Sequence, residues 1–142
     1  MTGPHASGLY HFYRLQPTAV RNVTTPELVI NTWYDILPQT ANCNMFWCKV
    51  WNSPANSIET RWIIDGTTYT WTTAALNNTW YSIYRDPTGQ GDVMNDSADG
   101  AGMYPCMYWM GFEGRQVQVS FRVLLAVGAG DRIIGSVTYG VL

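Results

Sequence analysis

Apolar and polar positions alternate most regularly in the C-terminal part of the chain. In residues 115–125 every second position is apolar, from Val117 to Leu125, and Gln116, Gln118, Ser120 and Arg122 are polar positions that alternate with them. Residues 132–142 repeat this period of two, which is typical of strands with one buried face. Because the glycine-rich residues 127–131 separate the two segments, we expect them to form a β-hairpin.

Shorter segments with the same character precede this pair. The strands predicted from them cover residues 10–14, 28–37, 45–51, 58–64, 67–71 and 80–84. Asp65-Gly66 is a dipeptide typical of two-residue hairpin turns, so it predicts that the segments on either side of it pair. Residues 85–102 contain few apolar side chains and predict one long acidic loop.

Composition favours strands throughout. The chain has 142 residues, and 14% of them are aromatic. It contains three glutamates and a single lysine, Lys49, so it lacks the residues that normally cover helix surfaces. We therefore predict an all-β protein: a single β-sandwich, jelly-roll-like, of eight or nine antiparallel strands. Residues 1–26 are interpreted as an N-terminal arm and residues 27–142 as the β-sandwich domain.

Charge excludes several classes of partner. The formal net charge is -2, which is not the basic surface that nucleic acids or anionic membranes attract. The apolar runs are also too short for a membrane-spanning helix. The first residues lack a basic segment followed by an apolar one, so we expect synthesis in the cytoplasm without a secretory signal.

The three cysteines do not form a recognisable metal motif. Cys43 and Cys48 are separated by an odd number of positions, which in a regular strand places them on opposite faces. Cys106 is distant from both, and no CxxC pair is present. We expect buried free thiols and no cofactor; a zinc site with His5 or His11 is the less favoured alternative.

Acidic residues in the predicted loop could bind a hard cation. Asp92, Asp96 and Asp99 are the metal candidates, since flexible loops rich in Asp, Asn and Gly supply oxygen ligands for calcium. Their spacing does not match the calcium-binding loop of an EF-hand. A solvated loop is therefore the favoured interpretation, and calcium is the alternative.

No arrangement of side chains indicates catalysis. The glutamates could supply a carboxylate pair for glycoside hydrolysis, but Glu59 and Arg61 share one strand face and are interpreted as a surface ion pair. The sequence contains no GxSxG nucleophile elbow. We therefore expect a protein that is not an enzyme.

The tryptophans are numerous for a domain of this size, and they allow two interpretations. Trp47, Lys49 and Trp51 share one face of a predicted strand, with Met45 beside them, while Cys48 lies on the other face. Because both faces are apolar, the strand is either central in a sheet or covered by another subunit. Residues 103–112 are similarly apolar. Such aromatics favour a subunit interface, and the alternative is a platform of exposed Trp and Tyr that binds carbohydrate.

Three stretches resemble the small β-sandwich proteins of tailed-phage virions, which include capsid decoration (cement) proteins and head-fibre or tail knobs. They are residues 61–69 with their Asp-Gly-Thr hairpin, residues 111–121, and the terminal strand at residues 135–139. The resemblance extends over about residues 28–142 and is a pattern of strands.

The resemblance implies a non-enzymatic virion structural protein, made in the host cytoplasm. It implies a capsid decoration protein that stabilises the shell by binding the major capsid protein lattice as a homo-oligomer, in this family often a homotrimer. The alternative is a carbohydrate-binding module or receptor-binding tip. The partner-binding residues that we predict are Tyr10, Phe12, Tyr13, Arg14, Trp47, Trp51, Tyr104, Tyr108 and Trp109.

Overall fold

The computed structural model describes residues 13–53, 56–73, 75, 78–85, 91–97 and 116–142. Within these ranges every regular element is a strand, and all of the strand pairs are antiparallel. The strands are β1 (Arg14–Leu15), β2 (Ala19–Thr24), β3 (Tyr34–Ala41), β4 (Cys43–Ser53), β5 (Ile58–Ile64), β6 (Thr67–Thr72), β7 (Thr79–Arg85), β8 (Gly91–Ser97), β9 (Gln116–Val123) and β10 (Arg132–Val141).

The strands form two sheets. Sheet A has the order β1-β10-β4-β7-β8, and β2 pairs with the same strand, β10, as β1 does. Sheet B has the order β3-β9-β5-β6. Two sheets built only of strands confirm the prediction of an all-β sandwich. β1 has two residues, and each of the other nine strands has six or more.

One apolar core lies between the sheets. Val50, Tyr81 and Ile133 contribute to it from sheet A, and Trp62 and Phe121 contribute from sheet B, all of them almost completely buried. In each of these strands the side chains alternate between the core and the outside. Each sheet therefore has an inner face in the core and an outer face on the opposite side.

The hairpin predicted at the C-terminal end is wrong. β9 pairs with β3 and β5 in sheet B, whereas β10 pairs with β1, β2 and β4 in sheet A. Both strands exist near their predicted bounds and turn their apolar faces to the same core, but from opposite sheets. Alternation indicates which face is buried; it does not indicate the neighbouring strand.

The predicted Asp65-Gly66 hairpin does form, between β5 and β6. Asp65 and Gly66 both have positive φ, 49° and 82°, as a type I′ turn requires. By contrast, the strand predicted for residues 28–37 begins only at Tyr34. The preceding residues form a loop that is anchored by the buried Leu28 and by the Tyr34 hydroxyl, which accepts a hydrogen bond from Val29 N at 2.8 Å.

Two further segments differ from the sequence expectation. Residues 85–102 were expected to form one loop, but Gly91–Ser97 within them form β8, which pairs with β7. Arg14–Leu15 and Ala19–Thr24 belong to the predicted N-terminal arm and pair with β10, so this part of the arm lies within sheet A. In both cases a neighbouring strand supplies the backbone partners, and β2 also contributes the buried Val23 to the core.

An irregularity in β4 changes which side chains face the core. Thr138 lies opposite Trp47 and Tyr139 lies opposite Met45, so Phe46 is the additional residue of a β-bulge. The bulge shifts the alternation by one position. Met45, which was expected beside Trp47 on one face, is therefore fully buried in the core.

The same bulge places both cysteines of β4 in the core, so the expectation that Cys43 and Cys48 lie on opposite faces is wrong. Both are free and fully buried, so the prediction of buried free thiols is confirmed for Cys43 and Cys48. Burial disfavours the charged thiolate, and it raises the pKa of each thiol from 9.0 to about 12. Cys106 lies outside the described residues.

The two sheets approach each other closely at Gly135 in β10. A Cβ atom built there would lie 2.4 Å from Cδ1 of Ile36 and 3.0 Å from Cδ2 of Phe121, which both belong to sheet B. Only a residue without a side chain allows Ile36 to pack directly on the backbone of β10.

Replacing Gly135 with alanine is expected to lower the free energy of unfolding by about 1–3 kcal/mol, because the new methyl group overpacks the contact with Ile36. Ser136→Ala is the matched control, since Ser136 is the next residue of the same strand and faces outward. Urea unfolding of both variants measures the difference. Equal midpoints for the two variants would contradict this account of the contact between the sheets.

The buried thiols predict an alkaline loss of stability. Between pH 9 and pH 12 the unfolded chain releases these protons while the folded chain keeps them. Stability is therefore fully present below pH 9 and falls as the pH rises, by at most about 1.4 kcal/mol per pH unit for each thiol. The slope of unfolding free energy against pH should be shallower in Cys43→Ala/Cys48→Ala than in the parent. An unchanged slope would contradict the prediction, because the two proteins differ only in these thiols.

Candidate functional site

The outer faces of the two sheets differ in chemistry. Large apolar or cationic side chains are grouped on the outer side of sheet A, and we call this group the aromatic face: Val20, Trp47, Lys49, Trp51, Trp80, Arg132 and Ile134. Smaller polar residues, among them Asn22, Thr24, Ser136 and Thr138, lie between them. We call the polar side chains on the outer side of sheet B the polar face; they include Asp35, Glu59, Arg61, Thr68, Thr70, Thr72, Gln118, Ser120 and Arg122, and the half-buried Ile63 lies among them. The aromatic face places three indole rings on the outer side of sheet A.

Two tryptophans form the centre of the aromatic face. Trp51 of β4 lies directly opposite Trp80 of β7, with ring centroids 6.5 Å apart and ring planes inclined by 47°. Lys49 Nζ lies 4.7 Å from the ring centroid of Trp80, and Arg132 Cζ lies 5.1 Å from that of Trp51. These cation–π contacts favour the observed positions of both indoles.

Trp47 extends this face along β4. Its ring is half-buried, and its Nε1–H donor is buried without a hydrogen-bond partner. A buried polar group without a partner is unusual in a folded protein. Trp47 and Trp51, the two β4 residues predicted to bind a partner, both lie outside the core on one face of sheet A. Their contact with a partner stays a prediction.

The other predicted contact residues lie elsewhere. Tyr13 is half-buried next to β1, and Arg14 is exposed on β1, where its Nη2 donates to the carbonyl of Leu142 at 3.4 Å. The predicted contact residues outside the described residues are Tyr10, Phe12, Tyr104, Tyr108 and Trp109. The sequence did not single out Trp80, Arg132 or Val20; their place on the same face as Trp51 follows from strand pairing.

On the polar face the predicted ion pair has a different partner. Glu59 Oε1 accepts from Arg122 Nη2 at 2.7 Å and from Arg122 Nε at 2.8 Å, so the expected pair of Glu59 with Arg61 is wrong. Arg122 lies directly across the β5–β9 ladder from Glu59, whereas Arg61 is two positions away along the same strand. Opposite charges on facing positions of neighbouring strands lie closest.

Arg61 and Arg122 both pack on one indole. Their Cζ atoms lie 4.2 Å and 4.5 Å from the ring centroid of Trp33, which precedes β3. Arg61 Nη2 also donates to Ser120 Oγ at 3.3 Å, and Ser120 Oγ donates to Asp35 Oδ1 at 2.7 Å. The charged groups of this face are thus used to join β3, β9 and β5.

The structure describes the backbone of two of the three metal candidates. Asp92 and Asp96 belong to β8, with Asp96 at a register irregularity opposite Trp80 and Tyr81. Asp99 lies outside the described residues. In the part of the chain that the structure describes, no three His, Cys, Asp or Glu side chains come together where they could hold a metal ion.

Comparisons with known proteins give no relative from which a function could be transferred. Among the residues described, no helix is long and apolar enough to cross a membrane. Models of protein families, curated proteins and solved structures contain no match to this chain.

Proposed function

We propose that this protein is a non-enzymatic structural protein of a virus particle: a capsid decoration protein that binds the major capsid protein lattice as a homo-oligomer. The observation that carries the proposal is the aromatic face, on which Trp47, Trp51 and Trp80 lie outside the core of the sandwich. The face is rich in the residue types that bind other proteins and has no role in holding the two sheets together.

The strand order supports the architecture expected of such a protein. Sheet A contains the order β2-β10-β4-β7, sheet B has the order β3-β9-β5-β6, and the chain crosses repeatedly between them. This order supports the jelly-roll arrangement that we propose, with β8 as an additional edge strand. Jelly rolls occur in viral capsid proteins and in lectins, so the fold agrees with the proposal while the function depends on the site.

The composition of the aromatic face fits a protein surface as its ligand. Tryptophan and arginine are the side chains that most often dominate the binding energy of protein interfaces. Because Lys49 and Arg132 already hold the rings of Trp80 and Trp51, little side-chain freedom remains to be lost when a partner binds. A lattice contact repeated over many copies then stabilises the shell even if each contact is small.

The charged network of the polar face supports a role other than catalysis. Glu59 is bound by Arg122, and Asp35 accepts hydrogen bonds from Ser120 and Gln118. A general acid or a nucleophile has to be available to a substrate, whereas these carboxylates join neighbouring strands.

Particle binding should depend on the aromatic face. Val20→Asp places a carboxylate on this face at a position that is 61% exposed, so we expect it to weaken binding to particles about tenfold or more without changing Tm. Val29→Asp is the matched control: Val29 is 49% exposed, but it lies in the loop before β3. Co-sedimentation with capsids of the encoding virus, depleted of this protein, measures both variants. Equal binding by Val20→Asp and the parent would contradict the assignment of this face, and absence of the protein from purified particles would overturn the proposed function.

Carbohydrate binding is the second candidate, and the Trp51–Trp80 pair is the observation that favours it. Two indoles on neighbouring strands form a platform on which sugar rings could stack, with Lys49 and Arg132 as polar groups beside them. If this candidate is right, a glycan array will give saturable binding that Trp80→Ala abolishes, with quenching of tryptophan fluorescence. Indifference to a broad set of glycans would exclude it.

A further inference from the structure

Strand β6 ends sheet B and has an unusual sequence for an edge. Its six residues, Thr67–Thr72, read TTYTWT and contain no charge, proline or glycine. It pairs with β5 in full register, and Thr68, Thr70 and Thr72 are exposed. Such a strand is a template for pairing with another strand.

The β5–β6 ladder shows which backbone groups of β6 point away from β5. Thr73 N donates to Ile58 O at 2.9 Å, so Ile58 and Thr73 form a hydrogen-bonded pair. Bonded and non-bonded pairs alternate along an antiparallel ladder. The register is unbroken from Thr72 back to Thr67, so Thr68, Thr70 and Thr72 belong to the non-bonded pairs. Their N–H and C=O groups therefore point away from β5.

The other sheet edges carry features that discourage pairing. Pro17 separates β1 from β2, and Pro38 lies within β3, whose pairing with β9 is twice irregular. β8 contains Asp92 and Asp96 and a register shift. Charges, prolines and bulges are the usual protection of edges, and among the described edge strands only β6 lacks all three.

We propose that β6 pairs with β6 of a second copy of this chain, antiparallel about a two-fold axis at Thr70. The sequence is self-complementary in this register. Thr70 lies opposite its own copy and Thr68 lies opposite Thr72, each pair exchanging both backbone hydrogen bonds. On the inner face, Tyr69 lies opposite Trp71 of the second copy, extending a stack in which these rings are 6.2 Å apart within one chain.

A second copy fits this edge better than a charged partner does. β6 is uncharged, so two copies approach without repulsion, and a two-fold contact requires a patch that complements itself. The hydroxyl row of Thr68, Thr70 and Thr72 continues into the same row of the partner copy, which favours threonine pairs across the new ladder.

This inference deepens the homo-oligomer part of the proposed function, and the two can fail separately. A two-fold contact produces a dimer, whereas the resemblance to decoration proteins implies a trimer. Particles that bind a trimeric protein would keep the proposed function and overturn this inference. Particles that bind a monomer would keep the capsid role and overturn both the homo-oligomer and this inference. A dimer that is absent from particles would keep this inference and overturn the proposed function.

Light scattering after size exclusion tests the association itself. We expect a mass of twice the 16.0 kDa of the chain, and a Thr70→Lys variant that remains folded but associates at least tenfold more weakly, because two ammonium groups then meet at the axis. Thr24→Lys is the matched control, since Thr24 is an exposed threonine on the edge strand β2 of the other sheet. A parent mass of one or three chains, or equal weakening by both lysines, overturns the proposal.

Cysteine cross-linking tests the register. Facing residues of a bonded antiparallel pair lie about 5.5 Å apart at Cα, within the range of a disulfide. With Cys106 replaced by alanine, Thr70→Cys should form a covalent dimer under mild oxidation, and Thr68→Cys should not, because Thr68 faces Thr72 of the partner copy. Cross-linking of Thr68→Cys alone, or of neither variant, overturns the proposed axis.

Discussion

The close packing of the two inner faces is the constraint on which the other features depend. At Gly135 the backbone of β10 lies directly against Ile36 and Phe121 of sheet B, leaving no space for a side chain. β10 is also the strand that joins β1 and β2 to β4 within sheet A. Once its inner face is fixed against sheet B, the outward direction of its neighbours in sheet A is fixed as well, since facing residues of paired strands project to the same side.

The bulge at Phe46 determines how the apolar residues of β4 are divided. Without it, Met45 would lie on the same face as Trp47, and one of the two cysteines would leave the core. With it, Met45, Cys43 and Cys48 are all buried, and the tryptophans of β4 lie on the other side. One additional residue in a strand thus produces both a continuous core and an aromatic face.

Sheets A and B use their outer faces differently. The charged groups of sheet B bind one another and pack on Trp33, so they stabilise the sheet from outside. The aromatic face of sheet A is held by cation–π contacts and keeps its rings at the surface. The edge of sheet B at β6 is a third, separate surface, so a partner on the aromatic face and a second copy on β6 do not compete for the same residues.

The fold class, the approximate bounds of most strands and the Asp65-Gly66 turn could be predicted from the residues alone, because alternation and turn chemistry are local properties. The sequence also indicated that β4 has two apolar faces. Tertiary structure alone decided that β9 and β10 belong to different sheets, that Glu59 binds Arg122, and that Trp80 lies beside Trp51. A period of two reports the burial of a face, whereas strand partners, bulges and residues brought together across a ladder depend on contacts between distant parts of the chain.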